Sequence, residues 1–154
     1  MPELARPLVL VHVISAILYG AGYIGTNLLT EFARRSDDPV ARRYALAFST
    51  RFDRMLNAPG GTVVSLTGLA TTWAFGYSFL TLWIAASIVL WLIVMGLGIV
   101  YWRSYGKRVD SALSSGDESA VTRVLREPRS VAMSRIENLV FLTLVALMVL
   151  RPGT

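Results

Sequence analysis

Cysteine is absent and histidine occurs once, at His12. The chain therefore has no disulfide framework, thiolate nucleophile, zinc knuckle or iron–sulfur cluster, and one copy cannot assemble a multi-histidine metal cage. Charge is scarce too: 16% of the 154 residues are charged, against 54% hydrophobic, where an ordinary soluble domain carries about 25% charge. A soluble domain this small exposes much of its surface and needs charge to cover it. The scarcity is concentrated. No Asp, Glu, Lys or Arg occurs from Pro7 to Thr30, nor in the 48 residues from Met55 to Trp102. Runs of that length cross bilayers, so the chain reads as an integral membrane protein.

The first span is expected at about residues 8–29. Its apolar stretch is too long, and its start too poor in basic residues, for a cleaved leader. The 48-residue run would make a helix of about 70 Å, which no membrane matches, so it must hold two spans. The break falls at Gly76-Tyr77-Ser78-Phe79, giving spans at about 61–79 and 82–101. Tyr77, Trp83, Tyr101 and Trp102 then lie at span ends, where amphipathic rings prefer to sit. A fourth span at about 131–150 requires Arg135 and Glu137 to lie near its start and reach for the headgroups. The alternative is three spans and a surface helix.

Thirteen of the fifteen Lys and Arg residues fall in the segments 31–58 and 103–135, leaving Arg6 and Arg151 elsewhere. The positive-inside rule places both segments in the cytoplasm and both termini outside. The net charge of +5 is thus an orientation signal and an attraction for anionic lipid, not a nucleic-acid footprint. Asp37-Asp38-Pro39 signals a helix start. The stripe Val40, Tyr44, Phe48, Phe52 and Met55, with Arg51 and Arg54 beside it, predicts a helix lying on the inner leaflet. Ser115-Gly116 breaks a helix running out of the third span, Asp117 restarts a short one, and Pro128 stops that.

Gly20-Ala21-Gly22-Tyr23-Ile24-Gly25 matches a dinucleotide fingerprint in letters alone, because the further βα units and distal acid that such a site needs are missing. Small residues four apart (Ala16 and Gly20, Ala21 and Gly25, and Gly68, Thr72 and Gly76) point instead to close helix packing. The contact lies either within one chain or with a homo-oligomeric or membrane-complex partner.

His12 is the one ionisable side chain well inside a span, tyrosines aside, and such residues raise a functional question by default. Met148, near the outer end of the last span, falls at a similar depth, with Arg6 and Arg151 beyond. An imidazole and a thioether form an axial pair for haem b, and arginines hold propionates. The plainer alternatives are a histidine bonded to a neighbouring hydroxyl or carbonyl, one in the wet interface, or a proton relay. A second polar group, Asn27, Glu31, Asn57, Arg135, Glu137 and Asn138, sits at the cytoplasmic level and reads mainly as mutual satisfaction at the interface.

Four stretches resemble a family of bacterial predicted integral membrane proteins, domain of unknown function 2269. They are Leu8-Val-Leu-Val-His-Val-Ile-Ser-Ala-Ile-Leu-Tyr-Gly20, Pro59-Gly-Gly with Leu66-Thr-Gly-Leu-Ala70, Leu82-Trp-Ile-Ala-Ala-Ser87, and Leu147-Met-Val-Leu-Arg-Pro152. The resemblance implies a four-helix inner-membrane protein without an assigned activity. His12 before a Gly-rich turn is more distantly similar to copper-resistance D-type proteins and four-helix haem-binding protoporphyrinogen oxidases, and only His12 carries over from those.

The expectation is therefore an all-α protein with one transmembrane domain over residues 1–154. It is a four-helix antiparallel bundle with short cytoplasmic surface helices, in the bacterial cytoplasmic membrane. Its expected role is that of a non-enzymatic component whose partners are the lipid bilayer and other membrane helices. The rival readings are a haem b redox protein using His12 and a small ion or solute pathway.

Overall fold

The computed structural model describes residues 2–152, with side chains from Ala5 onward. Helix accounts for 89% of the chain, and no strand occurs among the described residues. The helices are α1 (Pro2–Arg35), α2 (Pro39–Phe52), α3 (Ala58–Ala74), α4 (Leu82–Leu97), α5 (Arg103–Ser114), α6 (Glu118–Leu125) and α7 (Pro128–Leu150). They form two compact units, 1–78 and 79–154.

The first unit is a helical hairpin. Asp38 starts its return arm by accepting from the backbone N–H of Val40 at 2.8 Å, with Pro39 in the first turn, as the sequence predicts. That arm does not stop where a surface helix was expected to end. One π-helical turn, Asp53–Asn57, joins α2 directly to α3, so α2 is not a separate helix on the leaflet. The Asn57 amide donates to Asp53 Oδ1 across this turn at 2.8 Å. From Phe52 to Gly60 an ideal helix would rotate about 80° beyond two full turns, and the wide π turn takes up that excess. Phe52, Leu56 and Gly60 therefore all meet α1.

The contact with α1 is close because glycine lines it from both sides. A Cβ on Gly22 would come within 2.6 Å of the Asn57 backbone nitrogen, and one on Gly60 within 3.0 Å of Tyr19 Cα. Gly25 lies against the Phe52 ring. Lipid supplies no hydrophobic force between helices, so such backbone approach is what the association rests on. Hydroxyls extend the seam toward the basic end: Thr30 and Ser49 share a hydrogen bond of 3.0 Å. The Arg42 guanidinium, buried, donates to the Ser36 carbonyl at 2.9 Å.

Three helices are long and apolar enough to cross a membrane: Ala5–Arg35, Leu82–Ser114 and Pro128–Leu150. The last forms without a break from Pro128, so that proline begins α7 as well as ending α6. The segment expected at 61–79 falls short. Its helix stops at Ala74, and eight of the 17 residues in α3 are Gly, Ser or Thr, which favours packing over hydropathy. Gly76 does not pack at all: its φ is +69° and no atom lies within 4 Å of where its Cβ would be. It terminates α3 in the left-handed conformation that glycine adopts freely.

The second unit pairs α4 with α7. At one end the Arg151 guanidinium lies over the Trp83 ring at 5.8 Å; at the other, Arg129 lies over Tyr101 at 5.5 Å. Trp83 to Tyr101 spans about 27 Å of helix and Arg129 to Arg151 about 33 Å, bracketing a hydrocarbon core of roughly 30 Å. A second π turn, Gly98–Trp102, leads into α5, whose Tyr105, Val109 and Ala112 are buried, as are Val121 and Leu125 of α6. Gly116, at φ +72°, makes the turn between these two helices.

Gly22→Val is expected to lower stability in detergent by about 1–3 kcal/mol through overpacking against Asn57 and Leu56. Gly96→Ala, where nothing lies within 4 Å, should not lower the melting temperature, since alanine favours a helix interior over glycine. Equal melting temperatures for the two variants would show that the glycine seam does not hold the hairpin.

Asp117 caps α6, accepting from the Ser119 N–H at 2.8 Å and its hydroxyl at 2.6 Å. These bonds, with the α6 backbone, hold its carboxyl below the usual aspartate range. A depressed folded-state pKa stabilises above the unfolded value and is lost as pH falls through the folded one. Asp117→Ala should lose helicity at neutral pH, measured by circular dichroism. The parent should approach the variant only in acid.

Candidate functional site

The charge-free part of α1 carries one polar ring, and the hairpin places it against α3. His12 Nδ1 lies 3.1 Å from the Val64 carbonyl oxygen and 3.1 Å from Thr67 Oγ1. Gly68 makes the space: a Cβ there would sit 3.1 Å from His12 Cε1. The small residue expected to let backbones approach thus admits an imidazole instead.

The partners also fix the proton. A carbonyl oxygen only accepts, and the Thr67 hydroxyl already donates to the Val63 carbonyl at 2.7 Å, so Nδ1 must be the N–H. In the neutral ring Nε2 then keeps its lone pair. The ring therefore ties α1 to α3 through one nitrogen and keeps acceptor or ligand character at the other, an arrangement also seen behind metal-bound histidines.

The other sequence-singled residues divide between the two units. Arg6 is exposed at the start of α1. Met148 belongs to α7 in the second unit, and Arg151, left-handed at φ 44° just past α7, has its guanidinium over Trp83.

The residues of the expected cytoplasmic polar group fall in both units, Asn27, Glu31 and Asn57 in the first and Arg135, Glu137 and Asn138 in the second. Asn27 donates to the Tyr23 carbonyl at 2.9 Å, Asn57 is held by Asp53, and Glu31 pairs with Arg34 and, at 2.6 Å, with Arg35. Glu137 is buried on α7 and Arg135 exposed. Across the described residues, no group of three or more His, Asp or Glu side chains is placed to hold a metal ion.

A constellation that sequence spacing missed sits at the basic end of the second unit. Arg108 pairs with Glu127 at 2.8 Å, its guanidinium 5.7 Å from the Tyr105 ring. Tyr105 stacks on Tyr101 at 6.4 Å between centroids, and Arg129 covers Tyr101. The separation of 19 positions between Arg108 and Glu127 hides this pairing from any local pattern; only the α5–α6 turn brings them together.

The family description Predicted integral membrane protein (DUF2269) matches residues 7–152. The chain belongs to the DUF2269 family. Membership agrees with the three long apolar helices and covers both units, including His12, the glycine seam and the Arg108–Glu127 pair. No curated protein and no solved structure matches the chain.

The lone histidine makes the site directly readable. With the imidazole nitrogens labelled with 15N, the purified protein should show Nδ1 as the protonated nitrogen and Nε2 as the bare one. Thr67→Val should shift the Nδ1 signal and cost about 0.5–1.5 kcal/mol, and Gly68→Leu should cost more by evicting the ring. An Nε2-protonated ring in the parent would refute this geometry.

Proposed function

We propose that this protein is a helix-packing component of the bacterial cytoplasmic membrane that crosses it four times, with α3 as the second span and both termini outside. The carrying observation is how the first unit uses its polar groups. His12 and the Thr30–Ser49 pair join one arm of the hairpin to the other. What remains outward on α1 and α3 is apolar, including Leu10, Ile14, Ile17, Leu66 and Leu69, a surface suited to lipid or to the helices of a larger assembly. In α3 the low hydropathy is offset because Ser65, Thr67 and Thr72 each donate to a carbonyl of their own helix, which removes much of the cost of placing hydroxyls in lipid.

Orientation follows from where charge begins. Arg51 and Arg54 flank the π turn that meets Gly22 and Gly25, while Arg103 follows Trp102, and the positive-inside rule assigns both levels to the cytoplasm. Single cysteines at Thr50, Ser114 and Pro152, all exposed positions, test this. On intact cells a membrane-impermeant thiol reagent should label only the last. Labelling of Ser114→Cys, or protection of Pro152→Cys, would break the four-span topology.

One observation favours a second reading. In a neutral ring the free Nε2 of His12 would offer a haem iron the lone pair it requires, and this reading rests on His12 alone. When bound, haem b would supply one-electron chemistry. A Soret band in the purified protein that disappears in His12→Ala would support it; a colourless preparation from haem-replete cells would leave His12 as the hairpin's internal tie.

A further inference from the structure

A cleft of about 420 Å³ opens between α5 and α6, lined on its polar side by Lys107, Arg108, Ser111 and Ser115 and floored by Ala112 and Val124. Lys107, Ser111 and Ser115 recur every four residues and so share one face of α5. Among the described residues Lys107 has no ion-pair partner and the Ser111 hydroxyl no hydrogen bond. Arg108 gives one nitrogen to Glu127, and a guanidinium has five N–H donors. The nearby carboxylates are committed: Glu127 to Arg108, and Asp117 to Ser119 and the α6 backbone. Neither Asp110 nor Glu118 lines the cleft. Two cations and an unused hydroxyl above an apolar floor make a receptor for an anion with a greasy neighbour.

We propose that this cleft binds a phosphate ester. Lysine supplies the point charge and arginine the forked donors that phosphate oxygens accept, and the volume falls within the range of small-molecule sites. The position favours a lipid headgroup as the source. Lys107 lies five residues, about 7 Å, beyond Trp102, at the outer edge of a headgroup layer roughly 5–8 Å deep, and Ser111 one turn further along α5 receives the part of the ligand that projects beyond that layer. That depth rests on the membrane boundary proposed above, whereas the phosphate chemistry does not.

The full chain in a non-ionic detergent can be titrated with short-chain phosphatidylglycerol, short-chain phosphatidylcholine and glycerol phosphate, with bound ligand counted by native mass spectrometry. Phosphatidylglycerol is expected to bind more tightly than phosphatidylcholine. Lys107→Gln should weaken it about fivefold, and Ser111→Ala, which alters no charge, should weaken it measurably. Arg123→Gln, exposed on α6 and outside the cleft, should not. Circular dichroism would verify that each variant keeps its helicity. If glycerol phosphate binds with the same sensitivity to Lys107 and Ser111, the ligand is a soluble phosphate ester. If it fails where the lipid succeeds, the ligand is the headgroup. Absence of binding by all three, or unchanged affinity in either Lys107→Gln or Ser111→Ala, would overturn the proposal. Failure of the membrane boundary would show separately, in the thiol labelling of residue 114.

Discussion

The first unit depends on how closely two helices approach at Gly22 and Gly60. A lipid tail is as apolar as a leucine, so burying leucine between helices gains little in a bilayer; backbone approach and interhelical hydrogen bonds must carry association. With no Cβ at Gly22, Asn57 and Leu56 come within contact distance of the α1 backbone. That approach sets the level of everything else on the seam, with Phe52 beside Gly25, Ser49 beside Thr30, and His12 in the space over Gly68. The π turn at Asp53–Asn57 belongs to the same constraint, because it keeps the return arm's facing residues on α1 where an unbroken α-helix would rotate them away.

In the second unit the boundaries are marked by paired groups. Arginine over an aromatic ring places a cation and an amphipathic ring at one depth, which suits the interface at both ends of a span. Trp83 with Arg151, and Tyr101 with Arg129, thus measure the slab from both helices independently. They also explain how Arg135 and Glu137 are tolerated inside α7. The slab's basic edge lies about two turns away along the helix, within partial reach of a long Arg side chain, while Glu137 is buried rather than lipid-facing.

Much of this was legible in the sequence because charge and length are global signals. The charge-free runs located α1, α4 and the turn near Gly76, and Asp38-Pro39 and Asp117 located two helix starts to the residue. The failures came where one residue type serves two purposes. Spacing placed Gly68 and Gly76 in a single packing row, yet one admits a histidine ring and the other ends a helix at positive φ; a period of four cannot separate these. The stripe ending at Met55, with Arg51 and Arg54 beside it, looked like a separate surface helix, because charge at a bilayer boundary usually marks a loop. Here the helix simply continues, with Asn57 bonded back to Asp53. His12 was legible as an oddity, but its partners lie more than 50 residues away, and only the register of the hairpin reveals them.

The hydroxyls indicate how the weak third helix comes to sit beside the first. Ser15, Ser65, Thr67 and Thr72 each donate to the carbonyl four residues back, so in the proposed four-span topology they would enter lipid already satisfied and ask nothing of a neighbour. His12 is different, because no carbonyl of its own helix is recorded as its acceptor, and its Nδ1–H finds Val64 and Thr67 instead. An isolated α1 would therefore carry an unpaired donor in hydrocarbon, and an isolated α3 would present a helix rich in glycine with too little apolar side chain to hold it there. Each deficit is met by the other helix: Gly68 of α3 leaves room for the ring, and the ring's bond falls on α3's backbone. In the proposed four-span topology the two would insert as a single hairpin, in which the least hydrophobic helix and the most costly side chain of the apolar segments satisfy one another.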